Sequence, residues 1–432
     1  MRKNSLDKEQ LKITLTEQLE QFRKQDLGTR REKLEEITKY QKSPHAVVIS
    51  GLRRVGKSTL LAQIADKFHK NEYYFINFED ERLLNFETRH FVGLQEVLVE
   101  LFGEKRIFFL DEVQNVKGWE RFVRRLLDQD FKIYLTGSNA SLLTGSNASL
   151  LSGELGTKLT GRYIPIELFP FSFREFLRFR RTEPGKIPLT TIGRAKLKRM
   201  FNQYLFLGGI PDGIKYRGLP VHKTLYDDVL HRDIAARYQI EKLTALRELT
   251  FYLISNISCL ISYNKLKNLL KLGSVNTVKN YIGYLETSWL MSVMNVYAYS
   301  VKKQQIAAKK IYAIDTGLVN SVAFSFSKNA GKYLENSVYL GLRQRYKNLY
   351  YYKTEKGQEV DFYIPEGGLF IQVCQSLADE ETKERELQSL MQARKERPRT
   401  RCLVLTESEK GTIKLGREAV QIKPVWEWWL EN

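Results

Sequence analysis

The residues with the clearest chemical spacing form the segment Gly51-Leu52-Arg53-Arg54-Val55-Gly56-Lys57-Ser58-Thr59. It follows the apolar run 46–50, and the residues after it carry apolar side chains at helical spacing, as a P-loop requires. Glycines at both ends let the backbone curl, so that successive N–H groups face phosphate oxygens. Lys57 would neutralise the β- and γ-phosphates and the Ser58 hydroxyl would ligate Mg²⁺. The segment therefore predicts binding of ATP with Mg²⁺, and a chance glycine-rich turn is the alternative.

Two adjacent carboxylates, Asp111 and Glu112, end the apolar run 107–110. Beside a P-loop, Asp111 would hold Mg²⁺ through water, and Glu112 would orient and polarise the water that attacks the γ-phosphate. A pair of surface acids is the alternative, although such pairs seldom end a run of four apolar residues. We assign Lys57 and Glu112 to catalysis, and Ser58 and Asp111 to the metal.

Two more polar residues are candidates for sensing the γ-phosphate. Asn139 follows the apolar run 132–136, and a polar side chain at a strand end can touch the γ-phosphate or the attacking water. Segment 137–144 is repeated directly as 145–152, with a change only in its last residue. Arg162 precedes another apolar run and is a candidate sensor, or a finger that reaches the γ-phosphate of a neighbouring subunit. A solvated arginine is the alternative for Arg162.

The elements that must position these residues follow from the apolar pattern. Five short apolar runs between residues 46 and 168 alternate with helical stretches, which predicts an α/β fold with a parallel sheet covered on both faces. Residues 5–44 have apolar side chains at helical spacing and predict a helical arm before the core. Residues 170–250 read as a helical lid.

Composition limits the partners and the compartment. The 432 residues include 69 basic and 50 acidic side chains, and the net charge of +19 favours a polyanionic partner such as nucleic acid. The three cysteines lie far apart, which fits a reducing compartment. The N-terminus lacks the apolar core of a signal peptide, and the uncharged stretches are too short to span a bilayer. We expect a cytoplasmic protein with no membrane association.

Two predicted helices around Gly273 have helix-turn-helix spacing. The second can bury Val278, Ile282 and Leu285, which leaves a polar set outward at its N-terminal end, where a recognition helix meets base edges: Asn276, Thr277, Lys279 and Asn280. A hairpin with strands over 290–297 and 309–314 follows, around a basic loop. It carries the lysines of a basic wing: Lys302, Lys303, Lys309 and Lys310. These eight residues are the candidate DNA contacts, and a winged helix that contacts protein is the alternative.

The order of these motifs carries a resemblance. With Glu167-Leu168-Phe169-Pro170, Gly208-Gly209-Ile210-Pro211 and Leu230-His231-Arg232-Asp233-Ile234, it resembles the bacterial and archaeal AAA-type ATPases that have a C-terminal domain of unknown function. The resemblance covers nearly the whole chain, and the duplicated segment 137–152 departs from the family's pattern. It implies a relation to origin-recognition-type ATPases, which also join a P-loop domain to a winged helix. With Arg162 it also implies homo-oligomers.

The C-terminal part is similar to the restriction-endonuclease-like fold, in which acids bind a metal and a lysine assists the attacking water. Glu335 would lie on a helix, and Asp361 on the first of two strands. Gln372 and Cys374 take the positions of an acid and of the lysine, so a hard cation would bind weakly and we expect no cutting. Polar residues at the edge of a sheet are the alternative for Glu335 and Asp361.

These observations predict five regions: a helical arm over 1–45, a P-loop AAA-type ATPase core over 46–169, a helical lid over 170–249, a winged-helix domain over 250–315 and a nuclease-like α/β domain over 316–432. We expect an ATP-hydrolysing switch or motor that binds DNA. The alternative is an ATP-dependent signalling or defence switch whose winged helix and C-terminal domain bind protein partners, and a weaker third hypothesis is a nuclease.

Overall fold

The computed structural model describes residues 7–138, 159, 161–323, 330–415 and 418–431. The chain divides into two compact units, Met1–Leu168 and Phe169–Asn432. Among the described residues, no helix combines the length and the apolar character needed to cross a membrane. The finer division of the second unit into lid, winged helix and C-terminal domain stays a prediction.

The first unit is built on a five-stranded sheet whose order is β2-β3-β4-β1-β5. Its strands are β1 Ala46–Ser50, β2 Tyr74–Asn77, β3 Ile107–Asp111, β4 Lys132–Gly137 and β5 Tyr163–Glu167. Every neighbouring pair is parallel, and all five residues of β1 are buried. The predicted α/β fold with a parallel sheet is therefore confirmed.

Within the described residues, five α-helices belong to this unit. They are α1 Lys8–Lys24, α2 Lys33–Thr38, α3 Lys57–Phe68, α4 Phe91–Phe102 and α5 Trp119–Asp128, with short 3-10 turns at Glu81–Leu83, Thr88–His90 and Val113–Asn115. The predicted helical arm is interrupted between α1 and α2. Gly28 has a φ of +56° there, a left-handed conformation that glycine adopts at low cost, and Asp26 Oδ1 accepts a hydrogen bond from its N–H at 2.9 Å.

Helix α1 covers the edge of the sheet beside β2. Its apolar stripe is buried, and the Phe22 ring stacks on Phe75 with a centroid distance of 3.9 Å. The Gln18 amide pairs with the Asn77 backbone: Nε2 donates to the carbonyl at 3.1 Å, and Oε1 accepts from the N–H at 2.9 Å. A side chain thus satisfies backbone groups at the edge strand.

The second unit contains helices α6 to α18. They are α6 Phe173–Phe179, α7 Thr191–Leu207, α8 Pro211–Lys215, α9 Val221–Asp228, α10 Ala236–Tyr238, α11 Leu243–Ser255, α12 Tyr263–Leu269, α13 Val275–Thr287, α14 Val301–Ile306, α15 Thr316–Val322, α16 Ala330–Arg343, α17 Glu380–Glu396 and α18 Val425–Glu431. A π-helix, Val229–Ala235, joins α9 to α10.

The described part of this unit contains two sheets. The three-stranded antiparallel sheet has the order β6-β8-β7 and the strands β6 Leu260–Ile261, β7 Met291–Met294 and β8 Lys309–Ala313. The six-stranded mixed sheet has the order β13-β14-β12-β11-β10-β9. Its strands are β9 Tyr350–Lys353, β10 Glu359–Ile364, β11 Leu369–Val373, β12 Arg401–Thr406, β13 Gly411–Leu415 and β14 Glu418–Pro424.

Strands β7 and β8 pair antiparallel, as the predicted hairpin requires, but the segment between them differs from the predicted basic loop. Strand β7 ends at Met294, because the chain then turns to the larger sheet, where Val296 pairs with Tyr351. The basic loop is the short helix α14, and the Ser300 hydroxyl caps it by accepting a hydrogen bond from the Lys303 N–H at 3.4 Å. Pairing with a strand 55 residues away leaves no local signal in the sequence.

The carboxylate of Asp315 lies against the backbone of Gly208 and Gly209. Its carboxylate caps α15 by accepting from the Leu318 N–H at 2.9 Å and also accepts from the Gly209 N–H at 2.6 Å. A Cβ at Gly208, which has a φ of +76°, would lie 2.1 Å from Asp315 Oδ1. The carboxylate approaches this backbone more closely than a residue with a side chain would allow.

A buried ammonium holds strand β8 to α16 and β10. Lys310 is 2% exposed, and its Nζ lies 2.9 Å from Glu335, 2.8 Å from Glu359 and 2.7 Å from Asp361. Burial would lower the pKa of Lys310, but the three carboxylates hold it well above its usual value. Burial raises the pKa of Glu335, to which the Tyr312 hydroxyl donates at 2.7 Å. The cluster therefore depends on one cation to balance several buried acids.

We expect Lys310→Met to destabilise the second unit by about 3–5 kcal/mol, because removing one partner leaves buried charges without compensation. Four of the five tryptophans lie in this unit, so urea unfolding followed by tryptophan fluorescence reports on it. The loss of unfolding free energy in Lys310→Met should be smaller at pH 5 than at pH 8. The unpaired carboxyls would have raised pKa values in the folded state, so they take up protons as the pH falls. Lys302→Met, at an exposed position, is the control, and equal midpoints for both variants would contradict the expectation.

Candidate functional site

The candidate site lies at the edge of the first sheet where the parallel strands end. The P-loop follows β1, Asp111 and Glu112 end β3, and Ser138 follows β4. Because β1 pairs with β4 and β4 with β3 in parallel register, the carboxyl ends of all three strands meet. The structure thus brings together the residues predicted to bind nucleotide and metal.

The two P-loop glycines are required by the backbone. A Cβ at Gly51 would lie 2.2 Å from the Leu168 carbonyl oxygen, and Gly56 caps α3 in the left-handed region with a φ of +94°. Arg54 also has a positive φ, of 61°, and Arg53 Nη1 lies 3.2 Å from Glu79 Oε1. The loop therefore curls into the N-terminus of α3, where N–H groups attract anions.

Lys57 and Glu112 form an ion pair at the centre of the site. The Lys57 Nζ lies 3.2 Å from Glu112 Oε1 and donates to the carbonyls of Gly51 and Leu52 at 3.4 Å. Burial alone would raise the pKa of Glu112, but the Lys57 ammonium, the Gln114 amide and Arg53 together outweigh it and hold the pKa below its usual value. Glu112 Oε2 also accepts from the Ser138 N–H at 3.2 Å. An ionised Glu112 is the form that can polarise a water molecule.

Asp111 and Ser58 fit a hard cation such as Mg²⁺. Burial raises the pKa of Asp111, while hydrogen bonds donated by the Ser58 and Thr136 hydroxyls oppose the rise. The Ser58 hydroxyl and the Asp111 carboxylate are thus in contact, and both offer the oxygen ligands that Mg²⁺ prefers. A cation between them would offset the cost of burying the Asp111 charge.

Thr136 is a site residue that sequence reasoning missed. Its hydroxyl donates to Asp111 Oδ1, and its Oγ1 accepts from the Glu112 N–H at 2.9 Å. It therefore holds both acids at once. The sequence does show a polar residue at the end of an apolar strand. It does not show which residues on the neighbouring strand this hydroxyl contacts.

Arg162 lies at the opposite edge of the sheet from its own P-loop. It precedes β5, whose first residue, Tyr163, pairs with Ala46 at the start of β1, while the P-loop follows Ser50 at the end. Four residues of strand separate the two edges by about 13 Å. Arg162 is exposed and pairs with Asp128, away from its own P-loop, and its role in sensing nucleotide stays a prediction. Asn139 and most of the duplicated segment lie outside the described residues.

The candidate DNA contacts divide into exposed and buried sets. Val278, Ile282 and Leu285 are buried on α13 as expected, and Asn276, Lys279 and Asn280 are exposed at its N-terminal end. Thr277 is half-buried, and its hydroxyl lies 3.0 Å from the Ser274 Oγ that caps the helix. On α14, Lys302 and Lys303 are both exposed.

Lys309 and Lys310 are in the interior, because β8 is the central strand of its sheet. The Lys309 Nζ donates to the Gln304 carbonyl, and burial lowers its pKa to about 8. Lys310 is enclosed by carboxylates. We therefore leave both lysines out of the proposed DNA surface.

The candidate acids of the C-terminal part, Glu335 and Asp361, both contact the Lys310 ammonium. Gln372 donates to the buried carboxylate of Glu386. Burial raises the pKa of Cys374 to about 12, so its thiol is not ionised at neutral pH. Within the described ranges, no group of three or more His, Cys, Asp and Glu residues is arranged to hold a metal ion.

Comparison with known proteins places this site in a family. The uncharacterized protein MJ1544 of Methanocaldococcus jannaschii is 36% identical over 405 residues, which cover 88% of this chain and 87% of that protein. Residues 43–177 match the family model described as AAA domain. The chain belongs to this family of AAA-type ATPases. An uncharacterized protein of Haemophilus influenzae is 28% identical over 358 residues, covering 79% of this chain and 85% of that protein.

The rest of the AAA-type chain matches two models described as domains of unknown function, over residues 198–329 (DUF8612) and 330–428 (DUF4143). The solved structure of the Walker-type ATPase paby2304 of Pyrococcus abyssi is similar at 15% identity and a TM-score of 0.35, covering 74% of this chain and 97% of that one.

We expect Thr136→Val to lower the turnover number for ATP by about tenfold or more, because two hydrogen bonds that hold Asp111 and Glu112 are lost. Valine has nearly the same shape, so nucleotide affinity should change little. Thr136→Ser, which keeps the hydroxyl, is the matched control and should hydrolyse ATP close to the parent rate. Steady-state phosphate release measures both variants, and a parent-like turnover number for Thr136→Val would show that the hydroxyl has no part in catalysis.

Proposed function

We propose that this AAA-type ATPase hydrolyses ATP with Mg²⁺ and binds DNA through an exposed surface formed by α13 and α14. The observation that carries the ATPase part is the arrangement of Lys57, Ser58, Asp111 and Glu112 at one sheet edge, with Lys57 paired to an ionised Glu112. This arrangement supplies both the charge that binds phosphate and the carboxylate that activates water.

The order of events follows from the Lys57–Glu112 ion pair. The β- and γ-phosphates are a stronger anionic partner for Lys57 than one carboxylate, so nucleotide binding would draw the ammonium away from Glu112. Glu112 would then accept a hydrogen bond from a water molecule in line with the γ-phosphate. The water oxygen would bond to phosphorus as Glu112 accepts its proton, the bond between phosphorus and the bridging oxygen would break, and ADP and inorganic phosphate would leave. Ser58 and Asp111 would hold Mg²⁺, which supplies charge stabilisation on the phosphate oxygens.

The DNA part of the proposal is supported by element order and charge. From α11 to β8 the order is helix, strand, helix, helix, strand, strand apart from the short α14, which is the order of a winged helix. Residues 251–315 contain eight lysines against Glu286 and Asp315, a net charge of +6. Lys309 and Lys310 are buried, and the other six lysines are exposed or half-buried. The exposed Asn276, Lys279 and Asn280 occupy the end of α13 that a recognition helix presents to bases.

A protein partner is the second candidate for the α14 surface. Tyr299, Val301 and Ile306 are 83%, 67% and 75% exposed beside Lys302 and Lys303. Exposed apolar side chains in a cluster are typical of surfaces that bind proteins. Nuclease activity is not part of the proposal, because the Lys310 ammonium lies among the acids that would have to bind a metal.

We expect Glu112→Gln to bind ATP but to hydrolyse it about 100-fold more slowly or worse, since the amide cannot act as a base. Lys57→Ala should weaken binding of ATP itself, because the phosphates lose their buried cation. Glu104→Gln removes an exposed acid of the same unit and is the control for the change in charge. Turnover and fluorescent-nucleotide titration test the three variants. ATP hydrolysis at the parent rate by Glu112→Gln would exclude it as the activating carboxylate.

DNA binding is tested by its dependence on salt. If Lys302 and Lys303 contact phosphates, replacing both with glutamine should flatten the plot of log affinity against log salt by about two units and weaken all sequences alike. The same change at Lys353 and Lys356, which are exposed outside α13 and α14, should leave the slope unchanged. Parent-like affinity and slope in the Lys302, Lys303 variant would remove α14 from the DNA surface and favour a protein partner.

We propose that Arg162 serves hydrolysis by reaching the nucleotide of another copy. Its position at the far edge from its own P-loop supports this role. We propose that ATP promotes such contacts, so light scattering should detect larger particles with a slowly hydrolysed ATP analogue than without nucleotide. Arg162→Ala should lower the turnover of those particles. A monomer under both conditions would remove the finger role.

A further inference from the structure

The segment that links α1 to α2 is fastened to the helix that begins at the P-loop. Gln63, on α3, is 6% exposed, and both the nitrogen and the oxygen of its side-chain amide form hydrogen bonds with this segment. Its Nε2 donates to the Leu27 carbonyl at 2.7 Å and to the Thr29 carbonyl at 2.9 Å, and its Oε1 accepts from the Arg31 N–H at 3.1 Å. The backbone of the arm is thereby held beside the nucleotide site.

The same attachment brings the Arg31 side chain to the P-loop backbone. Arg31 is 4% exposed, and its Nη1 donates to the Val55 carbonyl oxygen at 2.7 Å. That carbonyl and the Gly56 N–H belong to one peptide unit. Because a trans peptide is planar, its C=O and N–H point in opposite directions, and a bond that fixes one fixes the other.

The orientation of this peptide unit matters because the Gly56 N–H is part of the phosphate cradle that a P-loop presents. Gly56 has a φ of +94° and no side chain to restrict rotation about its backbone. Without a donor on the Val55 carbonyl, a buried oxygen would lack a partner and the unit could turn to find one. The N–H would then leave the cradle.

We propose that Arg31 is a positioning residue of the nucleotide site, which orients the Gly56 N–H toward the diphosphate by holding the Val55 carbonyl. The inference rests on the proposed ATPase function and adds the N-terminal arm to the site. It assigns Arg31 to binding rather than to the chemical step, because its side chain contacts the backbone of the P-loop.

The test measures nucleotide affinity and turnover separately. Arg31→Met keeps the apolar stem of the side chain and removes its donors. It should raise the dissociation constants of fluorescent ADP and ATP by a similar factor, about tenfold or more, since both carry the β-phosphate. The turnover number at saturating ATP should stay within about twofold of the parent, and hydrogen exchange of residues 51–58 without nucleotide should become faster.

Two further variants keep the test decisive. Arg31→Lys retains a donor and should recover part of the affinity. Arg30→Ala removes the same charge from the neighbouring exposed position, where Arg30 pairs with Glu35, and should bind nucleotide like the parent. If Arg31→Met does not fold, the comparison of Arg31→Lys with Arg30→Ala decides the matter, because only the former alters the donor to Val55.

Failure of this inference differs from failure of the proposed function. If the parent binds neither ADP nor ATP, the ATPase proposal is wrong. If the parent binds both and Arg31→Met binds them equally well, or loses turnover with its affinity intact, Arg31 does not position the loop. If Arg30→Ala weakens binding as much as Arg31→Met, charge in the arm rather than the bond to Val55 is responsible, and the assignment is overturned.

Discussion

Parallel pairing of β1, β3 and β4 is the constraint on which the nucleotide site depends. Because these strands run in one direction, the loop after β1, the acids at the end of β3 and the polar residues at the end of β4 meet at one edge. Reversing any one strand would carry its residues to the far edge, where Arg162 lies. The site is thus a consequence of sheet topology, and each residue needs only to follow an apolar strand.

Two buried lysines show how the surroundings of an ammonium set its role. Lys57 has one acid and two carbonyls within reach, so phosphate can compete for it. Lys310 lies among three carboxylates, which hold its pKa well above the usual value. Such a lysine holds β8 to its neighbours, because moving its ammonium away would leave the carboxylates buried without a compensating charge.

The arm before the sheet belongs physically to the ATPase unit. Gln18 pairs with the backbone of β2, Gln63 holds segment 27–31, and the Lys132 ammonium donates to the carbonyls of Tyr40, Ser43 and His45 at 2.7 to 3.0 Å. A boundary drawn at residue 45 from the sequence separates the arm from the strands it covers. These hydrogen bonds across that boundary join side chains to backbone, so their partners are not encoded by any spacing.

The sequence by itself determined the parallel α/β core and the P-loop and acid positions, because these depend on local patterns: apolar runs, glycines that permit left-handed turns, and carboxylates at strand ends. It also placed Val278, Ile282 and Leu285 on the buried face of their helix, since helical spacing is local too. Only the tertiary structure decided that Thr136 holds both acids, that Arg31 reaches the P-loop, and that Lys310 is enclosed by carboxylates. The reason is that those contacts join residues 24 to 51 positions apart, and nothing in the sequence distinguishes a lysine on a buried central strand from one on an exposed surface.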